Sequence, residues 1–349
     1  MTESNPLAAD LDHILAHTKS VWEDLRGSRL FVTGGTGFFG CWLLETFAEA
    51  NRRFGLNASA VVLTRNKESF FARCPHLAAD SAIVLQSGDV RDFDFPAGPF
   101  THVIHAATPA SAALNDAEPL AMLDTIIEGT RRVLDFTASC GARKFLLTSS
   151  GAVYGKQPTT LPRVPESFTG TPDTMDPGSA YAEGKRVAEL LCAIYSRNHS
   201  IETKIARCFA FAGPYLPLDA HFAAGNFIRD GLRGGPIRIQ GDGTPLRSYL
   251  YSADLMIWLW TILVRGKSCR PYNVGSSEEV SILELAEAAA TLRPGIEVLT
   301  AKQPDASALP PRYVPDIERA RKELSLDQFV SLSEALRRTA VWCGEKVSQ

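Results

Sequence analysis

Apolar positions in the first half of the chain fall into short runs rich in β-branched residues, separated by segments with helical spacing. The stretches "RLFVTGG" from Arg29, "SAVVLTR", "AIVLQSGDV", "HVIHAA" and "KFLLTSS" read as strands. Between them, "CWLLETFAEANRRF" and "TIIEGTRRVLDFTASC" place apolar side chains on one helical face. Strands apolar on both faces and alternating with helices predict a parallel sheet covered on two sides, a doubly wound α/β domain.

Beyond Ser150 the pattern changes. "GKQPTTLPRVPESFTGTPDTMDPG" is dense in Pro, Gly, Ser and Thr and predicts a long loop, expected to serve as a substrate-side lid. An amphipathic helix starting at "SAYAEGKRVAE" and a strand "TKIARCFAFAG" follow. The remainder, punctuated by Gly and Pro, predicts a smaller lobe of mixed α and β structure. The expected organisation is an N-terminal helical extension over residues 1–28, a dinucleotide-binding domain over 29–206, and a lobe over 207–349 with some chain returning to the sheet. The most apolar run, "LMIWLWTILV" from Leu255, is about half the length of a membrane helix and reads as a buried helix.

With 349 residues, 45% hydrophobic content, 21% charged content and a formal net charge of -3, the chain has no basic excess pointing to nucleic acid. Seven scattered cysteines without a CxxC pair indicate neither a disulfide framework nor a zinc site, so no metal is expected. The N-terminal segment carries acids throughout and lacks a continuous apolar core, unlike a signal peptide. A cytoplasmic protein without membrane attachment is expected.

"VTGGTGFFG" follows the first predicted strand and opens the first helix, with Gly34, Gly37 and Gly40 at GxxGxxG spacing. A tight turn and close approach of a pyrophosphate to backbone N–H groups require residues without a Cβ, and a helix N-terminus supplies positive potential. The second strand ends in Thr64 and Arg65, where an acid would bind the adenosine ribose of NAD and repel a 2′-phosphate. NADP(H) is therefore expected, with NAD as the alternative; Asp89 is an adenine candidate in either case.

Tyr181 and Lys185 form the chain's YxxxK pair, one turn apart on a helix. A phenol that exchanges protons at neutral pH needs a neighbouring cation, and Lys185 supplies one. Ser150, at the C-terminal end of "KFLLTSS", would hold the same substrate oxygen, since ligands of open α/β sheets bind outside these strand ends.

Together "VTGGTGFFG", "HAA" at His105, "LLTSSGAVYG" and "YAEGK" resemble the extended short-chain dehydrogenase/reductase family, specifically its nucleotide-sugar epimerases, dehydratases and reductases. The resemblance runs from about Arg29 nearly to the C-terminus. It implies a Rossmann-type domain, a C-terminal nucleotide-sugar lobe, and a homodimer formed through a four-helix contact that includes the Tyr181 helix. It implies dinucleotide contacts from Gly34, Thr36, Gly37, Phe38, Phe39, Gly40, Thr64, Arg65, Asp89, Val90, Ala106, Ala107 and Lys185. Asn226, Arg247 and Arg312 are its candidates for the substrate diphosphate, beside Ser150. His105 is expected to be structural.

The family's 4,6-dehydratases carry Thr-Asp-Glu before the VYG, and its decarboxylases a Glu. The matching positions here are Ser150, Gly151 and Ala152, which argues against both reactions. Reduction of an NDP-4-keto-6-deoxyhexose of dTDP type with NADPH is expected, with 4-epimerisation on bound NAD as the alternative and a non-catalytic dinucleotide module behind both. In "RCFAFAGP", Ala210 and Ala212 replace the family's usual Asn and Tyr, which leaves the pose of the sugar open.

Overall fold

The computed structural model describes residues 5–108, 112–220 and 222–344. The chain divides into two compact units. The first runs to Val153 and takes in Pro172–Arg207 and Met256–Tyr272; the second comprises Tyr154–Thr171, Cys208–Leu255 and the chain from Asn273.

The first unit opens with helix α1 (Ala8–Glu23) and continues through β1 (Arg29–Thr33), α2 (Phe38–Phe54) and β2 (Ser59–Thr64). Two short helices, α3 (Lys67–Arg73) and α4 (Pro75–Ala78), lead to β3 (Ile83–Ser87) and β4 (His102–His105). Then come α5 (Ala112–Ala117), α6 (Pro119–Ser139), β5 (Lys144–Ser150), α7 (Ala180–His199) and β6 (Glu202–Cys208). The seven-stranded sheet has the order β3-β2-β1-β4-β5-β6, with Pro271–Val274 beyond β6. Neighbours from β3 to β5 pair in parallel. The order reverses between β1 and β4, and ligands of doubly wound sheets bind beyond the strand ends at such a reversal.

Burial explains the strand sequences. Phe31, Val103, Phe145 and Leu147 are buried on one side with Phe93, Phe100 and Phe136, whose rings lie 4.7–6.0 Å from one another or from Phe31. Each such aromatic pair adds about 0.5–1.5 kcal/mol beyond its buried area. The N-terminal extension is part of this unit: Trp22 of α1 is buried against Trp260, whose indole N–H donates to Thr46 of α2. The run from Leu255 lies in the helix Ser252–Arg265, whose apolar residues are buried throughout. No helix among the described residues is long and apolar enough to cross a membrane.

The second unit is mixed. It contains the helices Ala223–Leu232, Ile282–Ala290, Glu318–Leu324 and Leu332–Trp342, a three-stranded sheet of Val280–Ser281, Leu246–Arg247 and Arg312–Tyr313, and two further strand pairs. Composition alone assigned residues 154–171 to the dinucleotide domain, whereas they belong to this second unit. Val164 exchanges backbone hydrogen bonds with Val314 and Asp316, Gln157 accepts from the Val314 N–H, and Asn273 Nδ2 donates to Val164 O at 2.8 Å. The Tyr154 hydroxyl donates to Asn273 Oδ1 at 2.7 Å, fixing the point where the chain enters the unit.

Candidate active site

The glycine turn follows β1 directly. Gly34 has φ +71, and a Cβ there would lie 2.4 Å from the Ala106 carbonyl carbon and oxygen. At Gly40 a Cβ would lie 2.2 Å from Gly34 O, so this glycine lets the start of α2 pack on the turn. Gly37 differs: its hypothetical Cβ meets only Gly34 O, at 3.4 Å. Its side is open, as a backbone that must approach a pyrophosphate requires. Gly37 is the N-cap of α2 and offers no side-chain cap, so Phe38 begins a helix whose positive end is left for an anion. The spacing did not reveal that Gly35 is also required, since a Cβ there would meet Val62 Cγ1 at 2.4 Å. A bare cradle of this kind, on a 17-residue helix at the strand-order reversal, fits a dinucleotide.

At the end of β2 the Thr64 side chain is buried and its hydroxyl is engaged with the backbone of Asn66, while Arg65 is exposed. Asp89 accepts from Arg91 at 2.8 Å, and this contact holds its carboxyl below the usual range, with the Arg65 charge adding to the effect. Val90 is buried against Gly129. Ala106 and Ala107 follow β4, their N–H groups donating to the Thr33 carbonyl and hydroxyl. His105 is fully buried, with Nδ1 2.7 Å from Thr33 Oγ1 and Nε2 3.1 Å from Thr130 Oγ1. Burial first, and then the Lys185 charge, pushes its imidazole down to about 3, so it is neutral at pH 7 and serves as a structural link.

Ser150 ends β5, and its Oγ accepts from the Ala152 N–H at 3.1 Å. Lys185 is buried on α7 and donates from Nζ to Thr148 O and to Thr108 Oγ1, both at 2.8 Å. The first bond ties it to β5 two residues before Ser150. The second ties it to the segment after Ala107. Its Nζ lies 5.9 Å from the centre of the Tyr181 ring, which is half-buried. The structure thus brings Tyr181, Lys185 and the C-terminal end of β5 together. Beneath them Glu189, one turn beyond Lys185, accepts from Ser149 Oγ at 2.6 Å and from Arg207 through both carboxylate oxygens. Thr108 and the Ser149–Glu189–Arg207 set are not legible as site elements in the sequence, because their partners lie on other strands and helices.

The remaining candidates lie in the second unit. Arg247 and Arg312 sit on neighbouring strands, in a register that sets Arg247 opposite Tyr313. Arg247 donates to Leu246 O and stands 6.0 Å over the Tyr313 ring. Arg312 pairs with Glu279, while its buried Nε has no hydrogen-bond partner among the described residues. Asn226 lies on the helix Ala223–Leu232 and accepts from Arg229. Among the described residues no cluster of metal-ligating side chains occurs.

The model of the NAD-dependent epimerase/dehydratase family matches residues 30–275. Among curated proteins the chain is 33% identical over 310 residues to UDP-glucuronic acid decarboxylase 6 of Arabidopsis thaliana, covering 88% of this chain and 86% of that one. It is 30% identical to UDP-glucuronic acid decarboxylase 1 of Danio rerio, covering 89% of this chain and 71% of that one. Among solved structures, UDP-N-acetylglucosamine 4-epimerase from Methanobrevibacter ruminantium superposes with a TM-score of 0.79 at 21% identity, over 91% of this chain and 98% of that one. A dTDP-glucose 4,6-dehydratase from Streptomyces venezuelae, solved with NAD, gives 0.76 at 24% identity, over 90% and 96%. These structures share the fold.

Proposed function

Because the chain belongs to the NAD-dependent epimerase/dehydratase family of extended short-chain dehydrogenases/reductases, we propose that it is an NAD(P)-dependent oxidoreductase acting at C4 of a nucleotide-linked hexose. Its net reaction on this reading is reduction of a 4-keto-6-deoxyhexose. The observation that carries the reading is the end of β5: Ser150 supplies a hydroxyl, and Gly151 and Ala152 supply no carboxylate. Transfer of a hydride to C4 and a proton to its oxygen needs no further acid, whereas eliminating water does.

When bound, the dinucleotide supplies the hydride. The Tyr181 phenol gives its proton to the C4 oxygen as charge develops there, the Ser150 hydroxyl holds that oxygen, and the Lys185 ammonium stabilises the phenolate left behind. Lys185 does this without leaving its two anchors.

We read the cofactor as NADP. Support comes from the exposed Arg65 beyond a strand end whose Thr64 presents no carboxylate. Replacing Arg65 with Ala should weaken NADPH about ten- to a hundredfold, equivalent to one charge-assisted hydrogen bond of about 1.5–3 kcal/mol, and leave NADH unchanged. Titration of cofactor fluorescence measures both; equal weakening of the two would remove Arg65 from phosphate recognition.

The curated relatives favour a second reading, decarboxylation of a UDP-linked uronic acid. Oxidation at C4 would make the C6 carboxylate β to a ketone, so carbon dioxide could leave with C5 taking up a proton, and return of the hydride to C4 would leave the dinucleotide unchanged. A 4-epimerase would also return it unchanged. The test is absorbance of reduced nicotinamide with dTDP-4-keto-6-deoxyglucose, run beside carbon dioxide release from UDP-glucuronate and interconversion of C4 epimers with NAD. Stoichiometric loss of NADPH supports the reductase. Steady absorbance with carbon dioxide release or epimer formation replaces it.

A homodimer through α6 and α7 belongs to the same proposal. Leu120 of α6 and Leu190 and Ile194 of α7 are large apolar side chains left exposed on the isolated chain. Sedimentation should give twice the 38.0 kDa chain mass; a monomer at assay concentration would overturn it.

A further inference from the structure

Helix α7 continues directly from the turn Pro177–Ser179, which Asp176 caps. Ser179, in the N-cap position, makes no side-chain cap hydrogen bond, and Asp176 spends its carboxylate on Gly178 N in the preceding turn. Tyr181 sits in the first turn, where helices fray most readily because their N–H groups lack i−4 carbonyls. The Tyr181 N–H is met from a distant part of the chain. Asn115 of α5, only 8% exposed, accepts the Tyr181 N–H at Oδ1 (3.0 Å) and donates from Nδ2 to Gly178 O (2.8 Å).

We propose that Asn115 is a positioning residue for the reaction: its amide bridges Gly178 and Tyr181 and holds the phenol at its working distance from Lys185. The inference rests on the acid role assigned to Tyr181 above, and it goes beyond that role by naming what sets the phenol in place. Both hydrogen bonds use the full face of one amide, and the partners are three residues apart, so the clamp fixes the direction of the helix start as well as its height. Lys185 does not depend on it. Its ammonium is anchored one turn deeper by Thr148 O and Thr108 Oγ1. Loss of the clamp therefore moves the phenol relative to a stationary cation.

Thr108 and Asn115 also belong to one segment, which continues from Ala106 and Ala107 beside the glycine turn. Ala106 and Ala107 lie beside the glycine turn, Thr108 meets the ammonium, and Asn115 meets the phenol-bearing turn. Without Asn115 the first two contacts persist, so cofactor affinity is expected to survive.

The test compares wild type with Asn115→Ala and Asn115→Asp. The Asp variant keeps an acceptor for Tyr181 N–H but loses the donor to Gly178 O, so it separates the two halves of the clamp. The Ala variant should lose about ten- to a hundredfold in kcat, the range expected when a reacting group is displaced by about an ångström, with cofactor Kd changed less than about twofold. In the oxidation direction its pH–rate profile should move to higher pH, because phenolate formation is no longer helped by a cation at the same distance. Asn115→Asp restores one of the two bonds and should recover only part of kcat.

A second readout needs no sugar substrate. Near-ultraviolet difference titration of the cofactor-bound protein against Tyr181→Phe reports ionisation of this one phenol, which should require higher pH in Asn115→Ala. An unmoved titration, or a kcat in Asn115→Ala within about twofold of wild type, would overturn the clamp. If wild type processes no nucleotide sugar yet the titration moves as stated, the substrate reading fails and the positioning role of Asn115 stands.

Discussion

Replacement of Tyr181 by phenylalanine is expected to lower turnover about a hundred- to ten-thousandfold, the contribution of a positioned general acid, while cofactor affinity stays within about twofold of wild type. The separation of the two effects follows from the anchoring of Lys185. Its Nζ is held by Thr148 O and Thr108 Oγ1, so removing the Tyr181 oxygen leaves these two anchors of the ammonium in place. The Phe ring keeps the packing of a half-buried side chain on α7, so the helix itself should not respond. Single-turnover hydride transfer and cofactor titration measure the two quantities independently. Loss of cofactor binding along with turnover would show that Tyr181 acts through the cradle and not on the substrate oxygen; turnover near the wild-type level would pass the proton to another donor.

The features legible in the sequence are those written in consecutive residues. Apolar runs located all five strands of the first half: β1, β2, β4 and β5 are buried on both faces and so carry no polar alternation, while β3, at the sheet edge with Val84 exposed, is marked by its β-branched run. The glycine spacing and the YxxxK pair were readable because a turn and a helical face are local geometries. Contacts made over long separations were not. Asn115 lies in "LNDAEP", a polar stretch with no pattern of its own, and its partners are 63 and 66 residues away. Glu189 reads as a solvated helix position until β6 brings Arg207 against it. Residues 154–171 show only loop composition, and it takes the backbone bonds of Val164 and the side chain of Gln157 to reveal which unit they join. The same limit governs the substrate candidates: the resemblance offers Arg312 for the diphosphate, and the sequence does not show that Glu279 pairs with its guanidinium while the buried Nε has no hydrogen-bond partner among the described residues.

Substitution of Gly34 by alanine is expected to abolish dinucleotide binding and to destabilise the first unit. Two costs combine at this position. An L-residue at φ +71 pays about 1–2 kcal/mol for the left-handed conformation. The added Cβ would also lie 2.4 Å from the Ala106 carbonyl, and that backbone cannot retreat freely because the Ala106 N–H is bonded to Thr33 O, extending the pairing of β4 with β1. The turn itself must move, and the start of α2 moves with it, since Gly40 packs on Gly34 O. Two other glycines separate these effects. Gly55, at φ +56 with nothing within 4 Å of its Cβ position, should on change to alanine lose about 1 kcal/mol of stability and no cofactor affinity. Gly37 has an ordinary φ and an open side, so Gly37→Ala should keep its stability and lose affinity, because the methyl group occupies the space a pyrophosphate needs. Denaturant unfolding and cofactor titration on the three variants give three distinct pairs of outcomes. Full affinity in Gly37→Ala would mean that the phosphates approach elsewhere, whatever becomes of Gly34.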